Sequence, residues 1–379
     1  MFLKWNLQMP KRSLLIISAL AIVAIGAYLS SSKPAEFTSY VNIPIAEKHR
    51  GVCWVGGPQQ IDSIDINRIA SLGVNWISQT PFGWQSGHDN PSISGMHQTG
   101  ERGWWGERDE GLITTTELAR AKGIKTILKP HIWLRDEGGK WRGEIAMKTE
   151  EDWQKWFSDY EQFILHYAKL AEAAKMEMLC IGTELHQTCV QREADWRALI
   201  KKIRAVYSGQ LTYAANFADE YEEVSFWDEL DFIGIQAYFP ITDSHEPKIE
   251  DINKSWDNHL STLEKFSNKY KKPVLFTEIG YKSTKNAGIT PWEWPQHVNM
   301  QERKALYSEE NQAALYESMM QKVMTAPFIA GIHIWKWFPK YEERQARARE
   351  RNENYIDIDF TPQGKTAEEV MGKWFRKFQ

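Results

Sequence analysis

Met178-Leu-Cys-Ile-Gly-Thr-Glu-Leu185 and Pro273-Val-Leu-Phe-Thr-Glu-Ile-Gly-Tyr281 are short apolar runs that each end near a glutamate, Glu184 and Glu278. A carboxylate at the tip of a buried strand is costly to place there. Two of them, on separate strands of a chain that alternates strand and helix, read as a facing pair. That pairing requires the strands to run parallel and deliver both tips to the same side.

Working outward, the same kind of run recurs along the chain. The pattern predicts strands at 51–54, 74–78, 124–130, 176–183, 211–215, 232–237, 274–277 and 330–335, with helical periodicity between them. Helix 150–174 is the clearest, with Trp153, Trp156, Phe157, Tyr160, Phe163, Ile164 and Tyr167 at helical spacing. Near-continuous apolar strands separated by helices argue for a parallel sheet covered on both faces. Eight such units predict an α/β protein of the (β/α)8 TIM-barrel type, one domain over residues 49–379 with enlarged βα loops. An open doubly wound sheet is the rival, weakened by the absence of a Gly-x-Gly-x-x-Gly turn after the first strand. The charged run Glu342–Asn354 reads as a solvated helix or loop.

The N-terminus reads differently. Lys4, Lys11 and Arg12 precede an apolar run from Leu14 to Leu29, and Ser30 opens a small polar stretch. That order is an export signal. Residues 1–32 are therefore expected to be a signal peptide or an uncleaved signal anchor, with membrane anchoring through 13–30 in the second case, and 33–48 a linker. Either way the domain is expected outside the cytoplasm, periplasmic, secreted or anchored. Of the three cysteines, Cys53, Cys180 and Cys189, an exported protein could join two; Cys180 reads as a small hydrophobe in a strand. No C-x-x-C pair marks a structural zinc site.

Net charge is −4 over 379 residues, which carries no electrostatic argument for nucleic acid or an acidic polymer. The unusual figure is 18 tryptophans. Most read as core, but an indole face also suits stacking on sugar rings. In a barrel the C-terminal strand ends converge on one face. Those ends are Trp54, Gln79, Lys129, His131, Glu184, Asn216, Tyr238, Glu278, Trp335 and Trp337. The set holds no Ser-His-Asp arrangement and no phosphate-cradling loop. Paired carboxylates in aromatic surroundings fit glycoside hydrolysis, and a gap of roughly 5 Å would fit retention of configuration. Two other readings stay open. His131, Glu184, His186 and Glu278 could ligate a metal in a barrel isomerase or hydrolase, or the barrel could bind carbohydrate without cleaving it.

Four motifs carry a resemblance: Ile127-Leu-Lys-Pro-His131, Ile181-Gly-Thr-Glu-Leu185, Leu275-Phe-Thr-Glu-Ile-Gly-Tyr281 and Gly331-Ile-His-Ile-Trp-Lys-Trp337. In this order the chain from about Arg50 to Phe378 resembles the retaining (β/α)8 glycoside hydrolases with glutamates after strands four and seven, and most of all the β-mannanases of glycoside hydrolase family 113. The resemblance implies a hydrolase acting on a β-mannan carbohydrate by double displacement, without a cofactor or catalytic metal. It implies Glu184 as acid/base, Glu278 as nucleophile, Tyr238 as the partner orienting Glu278, and Trp335 as the floor beneath the sugar. Lys129, His131 and Asn216 would touch sugar hydroxyls, and Trp54 and Trp337 would add aromatic surface. Much of the wider group has Asn before the acid where this chain has Thr183, and often an Arg near strand two, which is absent here. Lys129 or Arg50 would then supply the positive field. The loop Phe82–Arg108, with Trp84, Trp104 and Trp105, is expected to wall one end of the cleft.

Overall fold

The computed structural model describes residues 40–94, 103–135, 138–295 and 298–379. The expected signal or anchor segment 1–32, linker residues 33–39 and part of the 82–108 loop lie outside the described residues. Among the described residues no helix is long and apolar enough to cross a membrane.

In chain order the strands are β1 (His49–Trp54), β2 (Trp76–Gln79), β3 (Phe82–Gln85), β4 (Ile93–Ser94), β5 (Lys125–Leu128), β6 (His131–Leu134), β7 (Met178–Thr183), β8 (Gln210–Asn216), β9 (Phe232–Gln236), β10 (Val274–Ile279) and β11 (Ile329–Trp337). Eight of them close a barrel in the order β1-β11-β10-β9-β8-β7-β5-β2. Neighbours pair in parallel all the way round. This is the (β/α)8 barrel that the apolar runs predict. The fourth and seventh barrel strands, β7 and β10, are buried along their whole length on both faces.

The helix Glu150–Ala173 shows how the outer ring fixes the site. Thr149 caps it by accepting from the Asp152 amide at 3.1 Å, and Glu150, Glu151 and Asp152 complement the helix dipole. Its buried stripe of Trp153, Trp156, Tyr160, Phe163, Ile164 and Tyr167 turns inward. From that stripe the Tyr160 hydroxyl donates to the Ile181 carbonyl at 2.8 Å. The strand that ends at Glu184 is thus pinned three residues before its tip.

The structure adds a sheet that the strand pattern does not predict. Phe82–Gln85 and His131–Leu134 pair in parallel, with Ile93–Ser94 antiparallel at one edge. Each of the two longer strands follows a proline, Pro81 and Pro130. A proline offers no N–H, so each barrel strand ends there. The chain then resumes pairing above the barrel, beginning with the His131 amide donating to the Pro81 carbonyl at 2.9 Å. What reads as two loops is a wall standing on barrel strands two and three.

At the opposite face the linker expectation needs trimming. Ile43 packs against the interior cluster of Trp76, Ile127, Met178 and Leu275, and its amide donates to Pro327. Lys48 is buried and donates to the Ala326 carbonyl. The chain therefore joins the barrel floor several residues before 49. Arg50 also belongs to this floor, donating to the carbonyls of Gly73 and Phe378 at 3.0 Å each. It cannot supply a positive field at the other face. All three cysteines are buried and free, and Cys180 packs in the interior cluster. The charged run is a helix, Tyr341–Arg351, held to the body by buried Tyr341 and Gln345.

Candidate active site

A cleft of about 1550 Å³ opens at the C-terminal mouth of the barrel. Glu184 and Glu278 both line it, as do His131, Asn216, Tyr238 and Trp335. Aromatic rings make most of the remaining wall near them: Trp84 and Trp133 from the added sheet, and Trp292, Trp294 and Phe360 from later loops. Trp104 lines the cleft too, while Trp105 beside it is buried.

Glu278 sits within β10 and is almost fully buried. Lys129, fully buried at the end of the third barrel strand, pairs with its Oε1. The Tyr238 hydroxyl donates to its Oε2 at 2.8 Å. Burial would lower the Lys129 pKa, but the carboxylate of Glu278 outweighs it and the net shift is upward. Lys129 is therefore a cation at neutral pH. Burial, reinforced by Glu278, pushes the Tyr238 phenol well above its usual range, so it stays a donor. His131 Nε2 lies 3.8 Å from Glu278 Oε1. Burial, with Lys129 and Arg142 nearby, pushes the His131 pKa well down and keeps the ring neutral. That nitrogen is buried and has no hydrogen-bond partner among the described residues. Gly280, two residues on, is needed for this geometry: a Cβ there would lie 2.1 Å from the Trp335 carbonyl oxygen, so only glycine lets β10 and β11 close up beside the carboxylate.

Glu184 follows β7 with a φ of 52°, a left-handed conformation uncommon outside glycine. Its amide is held by the Ala214 carbonyl at 2.9 Å. Asn216 donates to its Oε1 at 2.7 Å. Arg142 donates to its Oε2 twice, from Nε at 3.0 Å and from Nη2 at 2.6 Å. Behind Asn216 lies Glu220, fully buried, which accepts from the Asn216 amide at 2.6 Å and the Tyr213 hydroxyl at 2.5 Å. Burial pushes the Glu220 pKa up to about 8, the two donors only partly offsetting it.

Three expected sugar contacts fall elsewhere. Trp54 and Trp337 are about 1% exposed and do not line the cleft. Arg68, on the helix Ser63–Ser71, stacks over the Trp337 ring at 5.5 Å. Lys129 has no exposed surface either, so it meets Glu278 rather than a ligand. His186 bonds Glu223 at 2.6 Å, and among the described residues no three His, Cys, Asp or Glu side chains form a group able to hold a metal. Sequence reasoning missed Arg142 and Glu220. The first lies in a glycine-rich loop, and the second sits in an acidic run that looks solvated.

Two glutamates facing one aromatic cleft at the mouth of a (β/α)8 barrel define the class, a sugar-cleaving hydrolase. The model of Glycoside Hydrolase Family 113 matches residues 58–376. The chain belongs to glycoside hydrolase family 113 and is a glycosidase. Its structure is similar to that of the family 113 β-mannanase AaManA from Alicyclobacillus acidocaldarius, solved in complex with ManMIm. The TM-score is 0.71 and the identity 28%, covering 88% of this chain and 98% of that one. A complex structure of a family 113 β-1,4-mannanase is similar at TM-score 0.70 and 26% identity, over 87% of this chain and 99% of the other. No curated protein sequence matches the chain.

Proposed function

We propose that this protein is a retaining β-mannanase that cleaves β-1,4-mannosidic bonds by double displacement. One observation carries the reading: two carboxylates line the same cleft, each held in place by one cation and one neutral donor. Glu278 is fixed by a buried cation and a phenol, while Glu184 is held by side chains at the cleft wall, Arg142 and Asn216. The family 113 structures to which the chain is similar are those of β-mannanases.

In the first step Glu278 attacks the anomeric carbon and the glycosidic bond breaks. Glu184 donates its proton to the departing oxygen. In the second step Glu184 takes a proton from water, the resulting hydroxide oxygen attacks the anomeric carbon, and the bond to Glu278 breaks. Lys129 and Tyr238 hold the nucleophile's two oxygens, so that little reorganisation is needed when its charge is spent on the new bond. His131 lines the cleft beside Glu278, where its ring would border the sugar in the cleaved subsite. Trp335, about 7% exposed at the cleft, supplies the flat face beneath the ring. Thr183, in place of the Asn that would contact an equatorial 2-hydroxyl, suits the axial 2-hydroxyl of mannose.

Chemical rescue tests the two roles. With a dinitrophenyl β-mannobioside and azide, Glu184→Ala is expected to give the β-azide and Glu278→Ala the α-azide. The reverse assignment of anomers, or rescue of neither variant while the wild type turns over, would overturn the roles. Equal catalytic efficiency on gluco-configured analogues would overturn the mannose preference.

A further inference from the structure

The cleft does not stop at the carboxylate pair. It continues past Trp335 and Lys336 along the helix Tyr341–Arg351, where Arg344, Arg347 and Arg351 line it together with Ala348, Asn352 and Tyr355. The path is continuous. Lys129, paired with Glu278, lies 5.8 Å from the Trp335 ring. Lys336 bridges the Trp335 and Phe338 rings at 5.7 and 5.1 Å, and Arg344 stacks over Phe338 at 4.1 Å.

The charges that the helix presents to this arm are all basic, although the whole chain is acidic at −4, Glu107 also lines the cleft, and Lys336 is paired with Asp359 at 3.2 Å. Near the reaction centre the cations are spent on partners: Arg142 on Glu184, and Lys129 on Glu278. Lys340 is likewise taken up by Asp62 and Asp65 at 2.9 and 3.1 Å. The helix arginines are not. Among the described residues Arg347 has only the exposed Glu343 at 3.6 Å, and Arg344 and Arg351 make no ion pair. Their spacing of three and four puts all three on one helix face, a row about 10 Å long. Like charges at that spacing repel and cost helix stability. The acids of the same helix do not line the cleft, and Glu342 turns away to Arg68 at 3.1 Å. Guanidinium groups facing a cavity with aromatic walls are suited to planar, bidentate capture of oxyanions. The stacking of Arg344 on Phe338 holds one such fork in place before any ligand arrives.

We propose that this arm is a subsite for acidic substituents on the polysaccharide, carboxylate or sulfate ester groups carried some units away from the bond that is cut. Arg344, Arg347 and Arg351 are its specificity-determining residues. The proposal rests on the β-mannanase reading for the backbone, but the charge preference is measurable by itself.

The test is affinity electrophoresis of the full chain carrying Glu278→Gln, which stops turnover. The probes are β-mannan in neutral, carboxymethylated and sulfated forms, and β-glucan in neutral and carboxymethylated forms. The acidic mannan is expected to bind about tenfold tighter than the neutral one, as three rim ion pairs supply. Carboxymethylated against sulfated mannan identifies which oxyanion is preferred. Arg344→Gln/Arg347→Gln/Arg351→Gln should erase that preference and leave neutral mannan binding unchanged, which also reports that the variant is folded. Equal retardation by neutral and acidic forms, or a preference that survives in the triple variant, would overturn the proposal. Preference for glucan over mannan backbones, with the acidic preference intact, would count against the mannan reading and leave the subsite standing.

Discussion

Arg142 places two N–H donors, Nε and Nη2, on a single oxygen of Glu184, at 3.0 and 2.6 Å. The other oxygen takes Asn216. The carboxylate is thus held from both sides, by Arg142 from the segment following the third barrel strand and by Asn216 at the end of the fifth. Arg142 is itself backed by the Trp133 ring at 5.3 Å. If Glu184 is the proton donor, Arg142 sets its aim.

That gives a leaving-group prediction. Arg142→Met should lower kcat/KM on mannopentaose by about tenfold or more, a share of what acid catalysis supplies. On a dinitrophenyl mannoside, whose departure needs no proton, the loss should stay within about threefold. Equal losses on both substrates would show that Arg142 acts on binding or folding instead.

Lys129 and Glu278 form a buried pair with side chains 0% and 5% exposed. Removing one partner strands a charge, at a cost of about 3–5 kcal/mol. Lys129→Met should therefore destabilise the fold by about that amount, measured by urea unfolding. Lys129→Met combined with Glu278→Gln should recover much of the loss, because neither charge of this pair is left without its partner. Additive destabilisation in the double variant would refute the pairing.

Glu220 yields a pH prediction whose sign follows from its raised pKa. The unfolded carboxyl loses its proton near 4.5, whereas the folded one keeps it to about 8. The proton-linked stabilisation is complete below about pH 4.5 and declines as pH rises, being lost above about 8. Glu220→Gln lacks this titration. The stability of the wild type relative to that variant should fall between pH 5 and 9. Parallel stability profiles for the two proteins would remove Glu220 from the account.

Trp335 and Trp337 lie two residues apart yet face different surroundings, cleft and core. Trp335→Ala should lower kcat/KM by about 100-fold, the scale of a lost positioning contact, with little change in Tm. Trp337→Ala should cost about 3–5 kcal/mol of stability while the folded fraction keeps its activity. Exchange of the two phenotypes would invert the assignment.

These contrasts also show where the sequence speaks and where it does not. The eight barrel strands are readable because each is a short apolar run buried on both faces, and Glu184 and Glu278 stand out because nothing apolar explains them. The sheet of β3, β4 and β6 is hidden because Pro81 and Pro130 punctuate it as loop, while the pairing that makes it a sheet is long-range. Trp54 and Lys129 sit at strand ends as expected, but a strand's alternation gives two directions and only the closed barrel decides which faces the mouth. Trp337 would share the face of Trp335 in a regular strand, and the register shift where β11 pairs with Trp54 breaks that rule. Arg142 and Glu220 carry no local signal, because their partners are 42 residues away in one case and a buried tyrosine and a backbone amide in the other.

The central claim is the two-step displacement through Glu278, and the stereochemistry of the first product tests it most directly. Proton NMR of the full chain with mannopentaose, followed before mutarotation, should show the β-anomer of the new reducing end first, with no product from Glu278→Ala. Initial release of the α-anomer would contradict the account.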